Sequence, residues 1–144
     1  MQRSVRQAPD RKLAVLRDPL SYAERTARVE TIETHFAWIF FSARYAYKLK
    51  KPLRQPVMDY RTLAARRKGC REEVRLNRRL APSVYLAVVP LSISRSGGLR
   101  LGPGARVEDW LVRMRRLPSA RMLDRILARG TLTVAELEPL LRHL

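Results

Sequence analysis

The texture of hydrophobic and polar positions changes sharply along this 144-residue chain. Residues 1–28 are polar and charged, are broken by Pro9 and Pro19, and read as a loose basic arm. Within it, Leu13 to Leu20 has room for one short helix ended by Pro19. From Val29 apolar residues thicken. Val29 to Phe36 alternates loosely, and Ala37 to Ala43 is apolar and aromatic. Arg44 to Pro52 then alternates cleanly, with Tyr45, Tyr47 and Leu49 on one side and Ala46, Lys48 and Lys50 on the other. A period of two with aromatic and β-branched enrichment predicts three consecutive strands in an antiparallel meander. Pro52 and Pro56 stop it and open a linker, Leu53 to Tyr60.

Arg61 to Ala81 has no internal proline, follows the cap candidates Asp59 and Thr62, and is closed by Pro82, which predicts a helix with Gly69 as its weak point. Tyr85 to Ile93 reads as a strand in which Pro90 marks an edge or a bulge. The stretch SRSGGLRLGPG is rich in turn residues, so Ala105 to Leu117 is expected to pair back as a fifth strand. A helix from Ser119 through Ala128, a break at Gly130 and a last helix capped by Thr133 and reaching Leu144 complete the pattern. The order β-β-β-α-β-β-α-α predicts an α+β fold, a five-stranded antiparallel sheet with one packed helix. It divides the chain into a basic arm (1–28), a lobe (29–118) and a helical segment (119–144).

Composition narrows the class. A hydrophobic fraction of 46% excludes a wholly disordered chain. No apolar run approaches the ~20 residues that cross a bilayer, so no membrane role is expected. The first 20 residues lack the apolar core of a secretory signal. Cys70 has no partner for an internal disulfide, and with His35 and His143 it makes a poor metal inventory, so a reducing, cytoplasmic setting is expected. The formal charge of +17 invites a nucleic-acid or acidic-protein partner. All but five of the 30 basic residues are arginine, however, and they are spread over the whole chain. A solvated arginine-coated surface explains that equally well, and an aromatic content of 7% offers little for base stacking.

Two charges stand apart. Lys48 lies on the strand side shared with Ala46 and Lys50, as a phosphate-directed ammonium, with Lys50 and Lys51 as rivals, or as a surface lysine on a half-exposed strand. On a helix of about 100° per residue, Glu72 falls with Lys68, Arg75 and Arg79 on the basic side, where pairing with Arg75 accounts for it. Glu73 falls among Cys70, Leu76, Asn77 and Leu80. An ionised carboxylate on an apolar stripe needs a cation or a path to water, and a lysine of the third strand is the natural candidate. His35, at a strand turn, is open to a phosphate-contacting or a structural role.

The segments VETIETHFAWIFFSARYAYKLKKPL, RRKGCREEVRLNRRLAPSVYLAVVPLSI and DWLVRMRRLP resemble, in this order, the aminoglycoside phosphotransferase-like family. They are most similar to bacterial proteins that combine such a lobe with an ATPase domain. The resemblance runs from about Asp18 to the end of the chain. It implies the amino-terminal lobe of a protein-kinase-like fold, with ATP as cofactor, Lys48 on its phosphates and Glu73 as the helix partner of that lysine. It further implies a hinge at Arg113 to Leu117, with Arg113, Met114 and Arg115 beside the adenine. Departures are visible: the first strand turn, Thr34-His35-Phe36-Ala37-Trp38, has no glycine-rich loop, and the second, Ser42-Ala43-Arg44, lacks glycine. The family's histidine–glycine–aspartate loop and metal-binding aspartate have no counterpart in these residues. A truncated lobe, inactive alone, is therefore expected, with Mg²⁺ held by residues outside the chain and a separate lobe or ATPase domain as partner. The alternative is a non-enzymatic basic module that binds nucleic acid or an acidic protein.

Overall fold

The alternation of Tyr45–Lys50 (β3) places a polar and an apolar face back to back, and one helix before it and one after it in the chain cover the two faces. A computed structural model describes residues 7–143. Before β3 come a helix, Gln7–Arg17 (α1), and the strands Glu30–Glu33 (β1) and Ala37–Phe41 (β2). After it come a two-residue hairpin, Arg54–Gln55 (β4) with Met58–Asp59 (β5), and the helix Leu63–Asn77 (α2). The strands Tyr85–Ile93 (β6), Leu99–Leu101 (β7) and Arg106–Arg115 (β8) follow, then the helices Leu123–Ala128 (α3) and Val134–His143 (α4).

The main sheet has six strands in the order β1-β2-β3-β8-β6-β7, and every neighbouring pair is antiparallel. The expected count of five missed β7, which lies inside the turn-rich stretch. Gly97 and Gly102 adopt φ of 86° and 115° on either side of it, a backbone that favours glycine. Between them Leu99 to Leu101 pairs with the far end of β6, Leu91 opposite Leu101 and Ile93 opposite Leu99. Punctuation by glycine hid a strand that exists because a long neighbour offers it an edge.

Other boundaries move for local reasons. The first strand is shorter than Val29 to Phe36, because the Thr34 hydroxyl and amide turn onto Ala37 and close the hairpin. The linker Leu53 to Tyr60 contains the β4–β5 hairpin. The helix expected at Arg61 to Ala81 is trimmed to Leu63–Asn77; the Thr62 hydroxyl accepts from the Ala65 amide, while Asp59 is taken by Arg61. A short 3-10 turn at Ser119–Arg121 delays the next helix to Leu123. Leu144, the expected end of the last helix, lies outside the described residues, as do Met1 to Arg6 of the arm.

The largest correction concerns that arm. Gln7–Arg17 is an eleven-residue helix. Pro9 does not break it, because the first turn has no intrahelical acceptor for the missing N–H. Leu16 is fully buried and Leu13 nearly so, packed with Tyr22, Phe40, Tyr47, Leu49, Leu91 and Leu111. Tyr22 donates its hydroxyl proton to the Leu16 carbonyl and ties the connection back onto the helix. On the opposite face of the sheet, Cys70 and Val74 of α2 pack on Val112. No described helix is long and apolar enough to cross a membrane.

Leu16→Ala should therefore cost about 2–5 kcal/mol of stability, the range for a buried leucine truncated in place. Leu20→Ala, at a side chain 90% exposed, should change it by less than about 0.5 kcal/mol. Urea unfolding of both variants checks this, and equal effects would mean that α1 does not pack.

Candidate functional site

Alternation along β3 sends Ala46, Lys48 and Lys50 to the face that α2 covers. Helical spacing brings Glu73 down between the buried Cys70 and Val74 toward the same place. Lys48 Nζ lies 2.8 Å from Glu73 Oε1, and Lys50 Nζ lies 2.5 Å from Glu73 Oε2. The carboxylate is thus held by two ammonium groups at once. Glu72, one position earlier, is exposed and pairs with Arg75 at 2.8 Å. The helical reading of these two glutamates, one outward and one inward, matches the geometry.

Burial alone would raise the Glu73 carboxyl's pKa, but the hydrogen bonds and charges of Lys48 and Lys50 outweigh it and hold that carboxyl below its ordinary value. Burial likewise disfavours the charged form of Lys50; its bond to Glu73 prevails, aided by Tyr60, and its pKa is raised. At an effective dielectric of about 20, a unit-charge pair at such a separation is worth roughly 6 kcal/mol. Two such contacts work against a desolvation cost of several kcal/mol for each buried ion. Gly69 serves this arrangement: a Cβ there would stand 2.5 Å from Tyr60 Cε1, and Tyr60 places its ring 5.0 Å from Lys50 Nζ. The weak point of the helix is where an aromatic ring packs against its backbone. Cys70 is buried beside this cluster, and burial pushes its thiol up to about 12, so it is inert packing.

Beyond Lys48 the same face of the sheet carries two isoleucines and then, at the edge strand, Glu30. Ile39 stands opposite Lys48 on β2, and Ile32, 51% exposed, stands opposite Ile39 on β1. Where the chain leaves β8, a cavity of ≈ 660 Å³ opens on this side, lined by Ile32, Phe41, Leu117 and Met122 and by Glu30 and Arg116, which pair at 3.0 Å. A cation at the inner end of an apolar shelf is the arrangement present.

Three expected neighbours of a nucleotide do not fit as expected. Arg113, Met114 and Arg115 lie within β8, whose backbone is paired on both sides, with Tyr47, Ala46 and Tyr45 of β3 and with β6. The Arg115 amide donates to Val84 and the Arg116 amide to Arg44, so a hinge can begin only after Arg116. Arg113 also points away from Lys48, its guanidinium 5.2 Å from the Tyr45 ring centroid, and Arg115 reaches the Ser83 carbonyl. Met114 alone of the three shares the face of Val112 and α2. His35 sits exposed at the tip of the β1–β2 turn, 3.0 Å from Gln55 and edge-on to Phe36.

Comparison with known proteins adds a relationship. The chain is similar to a set of mycobacterial proteins. Uncharacterized protein Mb2027c of Mycobacterium bovis is 39% identical over 70 residues, 49% of this chain and 14% of that protein. Uncharacterized proteins Rv2004c and MT2060 of Mycobacterium tuberculosis match over the same shares at the same identity. The chain thus matches only a small part of the length of these mycobacterial relatives. No family model and no solved structure matches it.

Sequence reasoning missed one buried charge cluster. Asp109, 4% exposed, accepts from Lys12 of α1 at 2.7 Å and from Arg66 of α2 at 2.7 Å. It sits where β8 bulges against β6, between Leu91 opposite Asp109 and Ser92 opposite Val107, and so serves both layers. An aspartate opening the apolar run Trp110 to Val112 was the available signal.

Glu73→Gln should cost about 3–5 kcal/mol, because it strands buried Lys50 without a counter-charge, whereas Glu72→Gln should stay within about 0.5 kcal/mol. The depressed Glu73 carboxyl contributes stability above its unfolded pKa of about 4.3. That contribution is lost as pH falls through the lower folded value. Urea midpoints of the native protein should therefore drop more steeply than those of Glu73→Gln as the solution is acidified through that range.

Proposed function

We propose that this chain is the nucleotide-binding lobe of an aminoglycoside phosphotransferase-like small-molecule kinase, inactive without further residues. One observation carries this reading: Lys48, bonded to a helix carboxylate yet still 29% exposed, stands at the end of an uncovered apolar shelf. An ammonium so placed meets phosphate, and Ile32 and Ile39 offer a surface to a planar base. The element order of three strands, a helix and two longer strands supports the same reading. The adenine edge would be met after Arg116.

Within the lobe, Lys48 binds and orients the phosphates, and Glu73 holds the Lys48 ammonium in place. Phosphoryl transfer would need Mg²⁺ to supply charge neutralisation at the transferred group. The residues described here do not fit that metal, since they contain no group of three or more His, Cys, Asp or Glu side chains able to hold an ion. The carboxylate described on this face beyond Glu73, Glu30, is tied to Arg28 and Arg116 and held below its ordinary pKa, so it is a poor base for the acceptor's proton. Transfer therefore requires a second lobe, and the acceptor hydroxyl is chosen there.

A row of arginines favours a second reading. Arg67, Arg71 and Arg75, with Arg78 just past the helix, line the flank of α2 beside Trp110, with the Arg67 guanidinium 4.7 Å from its ring centroid. Such a row suits an acidic protein or a nucleic acid. Calorimetric titration with Mg²⁺–ATP separates the two. Under the nucleotide reading the chain binds, Lys48→Ala weakens binding at least tenfold, and moderate salt changes it little. Absence of binding to a folded sample, native and variant alike, would sink this reading. Salt-steep binding to a polyanion that ignores Lys48 would favour the other.

A further inference from the structure

The two lysines on Glu73 are not equivalent. Lys50 has 8% of its side chain exposed and lies under the Tyr60 ring, whereas Lys48 has 29% exposed and borders the open shelf. Other titratable groups facing the cluster are Tyr60 from the connection before α2, Cys70 from α2 itself and Tyr85 from β6. Burial raises the pKa of Cys70 and of Tyr85, so neither offers an anion near neutrality. Asp109, a further acid that acts on Cys70, is engaged by Lys12 and Arg66. Two ammonium groups therefore share one carboxylate, and the cluster keeps a surplus positive charge on the Lys48 side.

Surplus charge changes what Lys48 can do. A single lysine shared between a buried carboxylate and a phosphate would leave that carboxylate short of positive charge in a low-dielectric site. Here the carboxylate keeps a partner.

We propose that Lys50 is a positioning residue that holds Glu73 ionised and α2 seated while Lys48, still bonded to that carboxylate, also meets an incoming phosphate. The phosphate step rests on the nucleotide reading above; the hold on Glu73 does not. Lys50 touches no phosphate and acts only through Glu73 and Lys48.

The test uses the full chain and reads the Glu73 carboxyl by carbon NMR across the acid range, with Mg²⁺–ATP titration beside it. Lys50→Met should raise the Glu73 pKa by a unit or more, Lys48→Met by clearly less, and Lys50→Arg should restore it. Lys50→Met should weaken ATP binding at least fivefold, because Lys48 then becomes the carboxylate's sole partner, and Lys50→Arg should return it. If Lys48→Met moves Glu73 as far as Lys50→Met does, the assignment is wrong. Should Lys50→Met fail to fold, exchange of the lysine ammonium protons in the native protein decides: slow at Lys50 and fast at Lys48 supports the proposal, and the reverse order overturns it. A native chain that ignores ATP would remove the phosphate step and the nucleotide reading together, while the carboxyl titration still judges the hold on Glu73 alone.

Discussion

A carboxylate brought into a protein interior must find positive charge there or give up its own, and α2 brings one in. Glu73 reaches the sheet because the helix turns it inward with Cys70 and Val74, and β3 meets it with two ammonium groups on alternate positions. Helix and strand can satisfy this charge only in one register. A slip of one residue along β3 would replace Lys48 and Lys50 by Tyr47 and Leu49. The electrostatic demand thus fixes how α2 lies on the sheet, and with it the edge of the open apolar face.

The second fixed point is Asp109. Its carboxylate receives Lys12 from one layer and Arg66 from the other, so both helical layers are fastened at one position of β8. Breaking either contact leaves a buried charge short of a partner, the costly half of a buried ion pair. The two carboxylates divide the labour. Glu73 orients the face that carries the candidate site, and Asp109 holds α1 and α2 to the common sheet.

Much of the local structure is legible along the chain. Tyr85–Ile93 appears with the ends its residues suggest, and the β3 alternation separates its two faces as read. The inward turn of Glu73 and the outward turn of Glu72 follow from helical geometry, because 100° per residue acts on neighbours regardless of the rest of the fold. What escaped detection depends on distant partners. The strand Leu99–Leu101 needs the far end of β6, and α1 needs a hydrophobic face assembled from five separate strands. Polar texture around Leu13 and Leu16 concealed two core residues, since two leucines in a charged stretch carry no period long enough to read.

The candidate site divides along the same line. Lys48 and Glu73 could be named from residue type and spacing, because burying charge makes an oppositely charged partner obligatory. That Lys50 joins them, and that Arg113 and Arg115 turn to the opposite face with their backbone tied into the sheet, depends on strand order and register. Local patterning by itself determined which side chains face inward on each element. Only the tertiary structure decided which inward charges meet, since that choice belongs to the pairing of strands far apart in the chain.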